Sequence, residues 1–120
     1  MRPVVALFVL TLSVTVWSAD SVTTSARITR PANPGDYYPA ESAKRQEEGA
    51  PIVKVCVGPT GNLLRDPVVT HSSGFPALDS AAIRLAKSTR YAAGTDENGA
   101  ALAESCIEYS VKFKIQATHR

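Results

Sequence analysis

Residues 52–57 read Ile-Val-Lys-Val-Cys-Val, and residues 106–115 read Cys-Ile-Glu-Tyr-Ser-Val-Lys-Phe-Lys-Ile. Both alternate with the period of two that marks a half-buried strand. In the first, Val53, Val55 and Val57 share one face, and Ile52, Lys54 and Cys56 share the other. In the second, within a strand predicted over Ala103–Ile115, Ile107, Tyr109, Val111, Phe113 and Ile115 face the core. Cys106, Glu108, Ser110, Lys112 and Lys114 face away from it. These two stretches carry the two cysteines of the chain.

Working outward from the first strand, Gly58-Pro59-Thr60-Gly61-Asn62 is a turn cluster, and Leu63–His71 reads as the returning strand of a hairpin. Pro67 inside it cannot donate to a ladder, so this strand belongs at a sheet edge. Ser72-Ser73-Gly74 breaks the chain. Leu78, Ala81, Ala82, Leu85 and Ala86 then form one apolar stripe at helical spacing. Pro76 and Asp79 suit the start of that helix, and Lys87 and Arg90 suit its end. Gly94–Gly99 is a loop with an Asn-Gly turn signal. Upstream, Tyr37–Gly49 reads as a short, mostly polar helix, with Tyr38 and Ala43 turned inward and Gly49 as its stop.

The order helix, strand, strand, helix, strand defines an α+β domain. Its three-stranded antiparallel sheet has strand order 2-1-3, with the helices on one face. Cys56 is late in the first strand and Cys106 early in the third, so antiparallel neighbours bring them together. Pairing them sets a register: Lys54 opposite Glu108, Val55 opposite Ile107 and Val53 opposite Tyr109. One disulfide, Cys56–Cys106, is the expectation; the alternative is two reduced, inert thiols.

The ends have a different character. Arg2 precedes an uncharged, largely apolar run from Val4 to Val16, and small residues follow at Ser18 and Ala19. A spanning helix needs ~20 apolar residues, so this shorter run reads as a secretory signal peptide over residues 1–18. An uncleaved membrane anchor is the alternative. Residues 19–36 are polar, carry Pro31, Pro34 and Gly35, and read as a disordered linker. From Ser21 to Asp36 they reach at most ~55 Å. The folded domain is expected over residues 37–116, with a polar tail at 117–120.

The chemistry of catalysis is thin. The formal net charge is +2 with interspersed signs, which points to neither nucleic acid nor an anionic membrane surface. His71 and His119 lack ligand-like or catalytic neighbours. Ser72-Ser73-Gly74 lacks the strand–nucleophile–helix glycine pattern and reads as a helix-entry turn. Asp66, Asp79, Asp96 and Glu97 form no calcium loop or carboxylate pair. No catalytic residue, metal site, cofactor or small-molecule substrate is expected. What remains is an edge. The second strand is blunted by Pro67 and by Arg65-Asp66, whereas the third is long and free of proline. Residues Ile107, Glu108, Tyr109, Ser110, Val111, Lys112 and Phe113 could therefore receive an extended peptide by β-augmentation.

Several motifs together resemble a known family, the TonB C-terminal domain. They are Tyr38-Pro39-Ala40, the strand IVKVCVGPTGNL, Ser72-Ser73-Gly74 followed by Leu78-Asp79-Ser80-Ala81-Ala82, Arg90-Tyr91, and Val111-Lys112-Phe113-Lys114-Ile115. The resemblance runs from Tyr38 to Ile115. It implies a periplasmic, non-enzymatic protein-binding module, whose third strand receives the TonB-box peptide of outer-membrane transporters in transmembrane transport. Two features depart from the family's energy transducers. The apolar segment is short and has no histidine, and no long Pro-rich spacer follows it. Ala92-Ala93 also replaces the proline that usually follows the Arg-Tyr pair. The alternatives are a structural or inhibitory envelope protein that does not transduce, or a short inner-membrane-anchored transducer facing the periplasm.

Overall fold

A computed structural model describes residues 24–115 of the chain. The expected signal peptide and the polar tail lie outside the described residues. Eight elements follow in order: β1 (Arg27–Arg30), α1 (Pro34–Tyr37), α2 (Ala40–Lys44), β2 (Ile52–Val57), β3 (Val68–His71), α3 (Pro76–Ser88), β4 (Arg90–Ala92) and β5 (Ser105–Ser110). The main sheet is antiparallel with order β3-β2-β5, the expected 2-1-3 arrangement. A second, two-stranded sheet joins β1 to β4.

The core forms where the alternation of β2 meets the stripe of α3. Val53, Val55 and Val57 are fully buried, and the buried residues of α3 are Leu78, Ala81, Ala82, Leu85 and Ala86. Val111, Phe113, Tyr91 and Ala26 complete the same cluster. Fully burying a Leu, Val or Phe side chain contributes roughly 1.5–3 kcal/mol, so this layer supplies most of the driving force.

Several boundaries differ from expectation. The stretch 19–36 is not a disordered linker from residue 24 onward, since β1 and α1 lie within it. Asn33 accepts a hydrogen bond from the Gly35 N–H at 3.0 Å and caps α1, with Pro34 in its first turn. The helix expected over 37–49 is the short α2, Ala40–Lys44, and of α1 only Tyr37 falls in that range. A residue before proline is pushed out of the α region, and Tyr38 and Pro39 are both extended. Helix α2 ends at Lys44, with Gln46 just beyond it in the left-handed region at φ 55°, rather than at Gly49. Gly49 instead bridges Phe113 and lies against Ser73, where a Cβ would come within 2.7 Å. Tyr38 and Ala43 are half-buried, but Ser42 is the buried residue of α2.

The returning strand starts only after Pro67, with Leu63 making a single bridge to Val57. Its edge position is as expected. Strand β5 ends at Ser110, yet the pairing continues: Val111 N–H donates to the Pro51 carbonyl at 2.9 Å and Phe113 N–H to the Gly49 carbonyl at 2.8 Å. Ile115, expected on the core face, lies beyond that last bridge and is exposed. The turn between β2 and β3 needs Gly61, at φ 82°, because a Cβ there would lie 2.2 Å from the Tyr91 carbonyl oxygen.

The entry to α3 is built from Ser72, Ser73 and Asp79. The Asp79 carboxylate accepts from the Ser72 hydroxyl at 2.5 Å, the Ser73 hydroxyl at 2.7 Å and the Ser73 N–H at 2.8 Å. The serines are therefore spent on holding a helix start. Partial burial raises the Asp79 pKa, but these three donors outweigh it and hold the carboxyl below its ordinary value. A carboxyl lowered in the folded state stabilises fully above its unfolded pKa, about 3.9, and loses that contribution as pH falls through the folded value. We expect an acid-unfolding titration of Asp79→Asn to lie below wild type at neutral pH by about 1 kcal/mol, the scale of a lost helix cap. The gap should close at the acid end. A gap that stayed constant with pH would mean the carboxylate charge contributes nothing.

Candidate peptide-docking edge

The expected site begins at a covalent link. Cys56 and Cys106 are opposed across β2 and β5 and form a disulfide, with Cα atoms 4.0 Å apart and a sequence separation of 50. The register is the expected one: Val53 faces Tyr109, Lys54 faces Glu108 and Val55 faces Ile107. It runs without a slip from Val57 opposite Ser105 to Gly49 opposite Phe113. Glu104 lies within 4.8 Å of the two sulfurs, but sulfurs joined to each other offer no thiolate to a metal. Glu104 pairs instead with Arg65.

The register decides which groups β5 shows to its outer side. Antiparallel pairing alternates, so every second residue turns its N–H and C=O toward a given neighbour. Val111 and Phe113 bond toward the β2 side, and the Cys56 carbonyl is taken by the Leu64 N–H at 3.0 Å on the β3 side. The even-numbered residues Cys106, Glu108 and Ser110 therefore point their main-chain groups outward. Among the described residues no strand pairs with that side of β5.

Side chains sort by the same parity. Glu108, Ser110, Lys112 and Lys114 are exposed; Ile107 and Tyr109 are half-buried; Val111 and Phe113 are buried. Phe113 meets the Tyr38 ring edge-on at 5.4 Å between centroids. Tyr38 donates its hydroxyl proton to the Glu47 carbonyl, and its pKa is raised by burial and by the nearby charges of Glu48 and Glu47. Val111 and Phe113 thus belong to the core, and the open part of the predicted stretch is narrower than Ile107–Phe113.

Tyr91 was not expected at the site. Its hydroxyl donates to the Ala86 carbonyl at 2.9 Å and lies 2.7 Å from the Tyr109 hydroxyl. Since the Tyr91 proton goes to Ala86, Tyr109 is the donor between the two rings. Burial, then the Tyr109 hydrogen bond, pushes the Tyr91 pKa well above the ordinary tyrosine value. The pair holds the middle of β5 against the end of α3. Its sequence signal was a tyrosine on the core face of the third strand, but nothing local named the partner. His71 lies exposed at the end of β3, and Ser72 and Ser73 are committed to Asp79.

Three antiparallel strands, a helix packed on the core face, a disulfide between the central strand and β5, and a β5 with one open side among the described residues define a small α+β domain. The sequence matches the family described as the Gram-negative bacterial TonB protein C-terminal over residues 34–115. The chain belongs to that family, whose members are non-enzymatic, periplasmic protein-interaction domains of envelope transport, with partners such as outer-membrane transporters. No curated protein and no solved structure matches the chain. Among the described residues, no helix is long and apolar enough to cross a membrane.

Removing the bridge by replacing Cys56 and Cys106 with alanine should cost roughly 2–4 kcal/mol, the usual range for a disulfide. Urea unfolding would show it as a lower midpoint at similar slope. An unchanged midpoint would mean that the β2–β5 ladder needs no covalent help.

Proposed function

We propose that this protein is a periplasmic docking module that receives an extended peptide along β5, such as the TonB box of an outer-membrane transporter. The observation that carries the reading is the outward main chain of Cys106, Glu108 and Ser110 on β5, the longer of the two edge strands of the main sheet. A peptide strand added there gains main-chain hydrogen bonds at each second residue. Lys112 and Lys114 lie exposed just beyond and favour acidic partners. In this reading the signal peptide spans residues 1–18, and the mature chain is released into the periplasm.

A second reading, a structural or inhibitory envelope protein that does not transduce, draws support from the N-terminal segment. Because β1 and α1 belong to the fold, only residues 17–23 separate the apolar run from the described domain. Even fully extended they reach at most ~25 Å. Such a tether suits a free or membrane-proximal domain better than a long-range energy transducer.

Titration with a TonB-box peptide, followed by backbone amide shifts, tests the first reading. Shifts should concentrate at residues 106–112 and leave β3 unmoved. Ser110→Pro removes one outward N–H at an open edge, where proline is tolerated, and should weaken binding by at least tenfold with the fold intact. Shifts confined to β3 or α2 would refute the site, and no shift at all would favour the second reading.

A further inference from the structure

Beside the open edge lies an apolar cleft of about 400 Å³. Ile28, Pro31 and Ala32 from the N-terminal segment form part of it, together with Leu85 of α3 and Tyr109 and Val111 of the edge strand. Its volume falls in the ~300–1,000 Å³ range of ligand sites. Ile28, Pro31 and Ala32 precede the family-matched residues 34–115. That wall therefore belongs to a part of this chain that the family match does not reach.

The position of the cleft constrains its occupant. Side chains of an added strand alternate between the two faces of the sheet. Tyr109 and Val111 lie on the core face, so every second side chain of a strand beside β5 is directed to the side where the cleft opens. Among the described residues one charged side chain, Lys112, lines the cleft, and Arg27 and Arg30 are exposed on β1, the strand that contributes Ile28 to it. No carboxylate of the described residues lines the cleft; on the elements that contribute to it, Glu108 lies on β5 and Asp36 in α1, and Glu48 accepts from the Ile115 N–H at 3.2 Å.

The geometry points to this cleft as the selectivity pocket of the docking edge, an inference that rests on the docking reading above. Its occupant is an extended, acidic segment of a partner protein with apolar side chains at alternate positions. Main-chain pairing along β5 accepts almost any sequence, whereas the cleft accepts an apolar side chain and rejects a charged one, whose burial there is uncompensated. Strand β1 thereby becomes a recognition element rather than a connection.

The test uses the chain without residues 1–18 and two synthetic decapeptides. One alternates leucine with aspartate or serine; in the other serine replaces each leucine. Amide shifts of β5 and the dissociation constant are read for both. The leucine peptide should bind at least fivefold tighter. Ala32→Trp, which fills the cleft, should abolish that preference while leaving the weaker binding of the serine peptide within twofold. Ile28→Ser, which opens the wall, should reduce the preference if the tryptophan variant does not fold. Equal affinity for the two peptides, with β5 shifts present, overturns the cleft and spares the docking reading. Absence of β5 shifts with either peptide overturns both. Concentration-dependent β5 shifts without peptide, with a dimer in sedimentation, would show that a second copy occupies the edge and would overturn the proposal.

Discussion

The antiparallel pairing of β2 with β5 is the constraint on which the rest depends. A one-residue slip in a strand with one buried face turns every side chain to the wrong side. Here a slip would expose the core-facing residues of β5 and bury Glu108 and Lys112. Three things oppose it at once: the alternation of β2, the alternation of β5, and the bond between Cys56 and Cys106. The same register determines which main-chain groups face the open side. The core and the open edge are thus two consequences of one alignment.

The N-terminal segment is secured by a different set of contacts. Strand β1 pairs with β4, Thr24 pairs with Thr95, and Ala26 is buried in the core cluster. Strand β4 is itself held from two sides. Gly61 brings the β2–β3 turn against the Tyr91 carbonyl, and the Tyr91 hydroxyl joins Ala86 and Tyr109. Tyr91 therefore connects the hairpin turn, the end of α3 and the edge strand. Strand β1 is thus joined, through β4 and Tyr91, to the strand proposed to receive a partner.

What was legible in the sequence was what local period and one cysteine pair can encode. The faces of β2, the stripe of α3, the strand order and the register all follow from spacing. The N-terminal strand does not. Ala26 and Ile28 alternate over too short a run to signal a strand, and β4, its partner, lies about 60 residues away in sequence. Pro31, Pro34 and Gly35 look like linker punctuation, yet Asn33 and Pro34 serve equally well to start α1. The Tyr38-Pro39 pair separates α1 from α2, because a residue before proline is pushed out of the helical region. The edge of the site was visible from topology. The cleft was not, since it exists only where residues 28–32, 85 and 109–111 converge.

Family membership and the edge together suggest how affinity and selectivity divide. Main-chain hydrogen bonds to an added strand each contribute a net ~0.5–1.5 kcal/mol and read no side chains. An edge that relied on them alone would invite any unpaired strand, including another copy of itself. Lysines beside the edge discourage a second basic edge and admit an acidic one. In the proposed reading, a pocket on the core side then discriminates among acidic strands by their apolar residues. In this chain one wall of the pocket comes from the segment that leads out of the N-terminal region. On that proposal, selectivity is set by residues that also pair the N-terminal segment with β4, so recognition and attachment share the same few side chains.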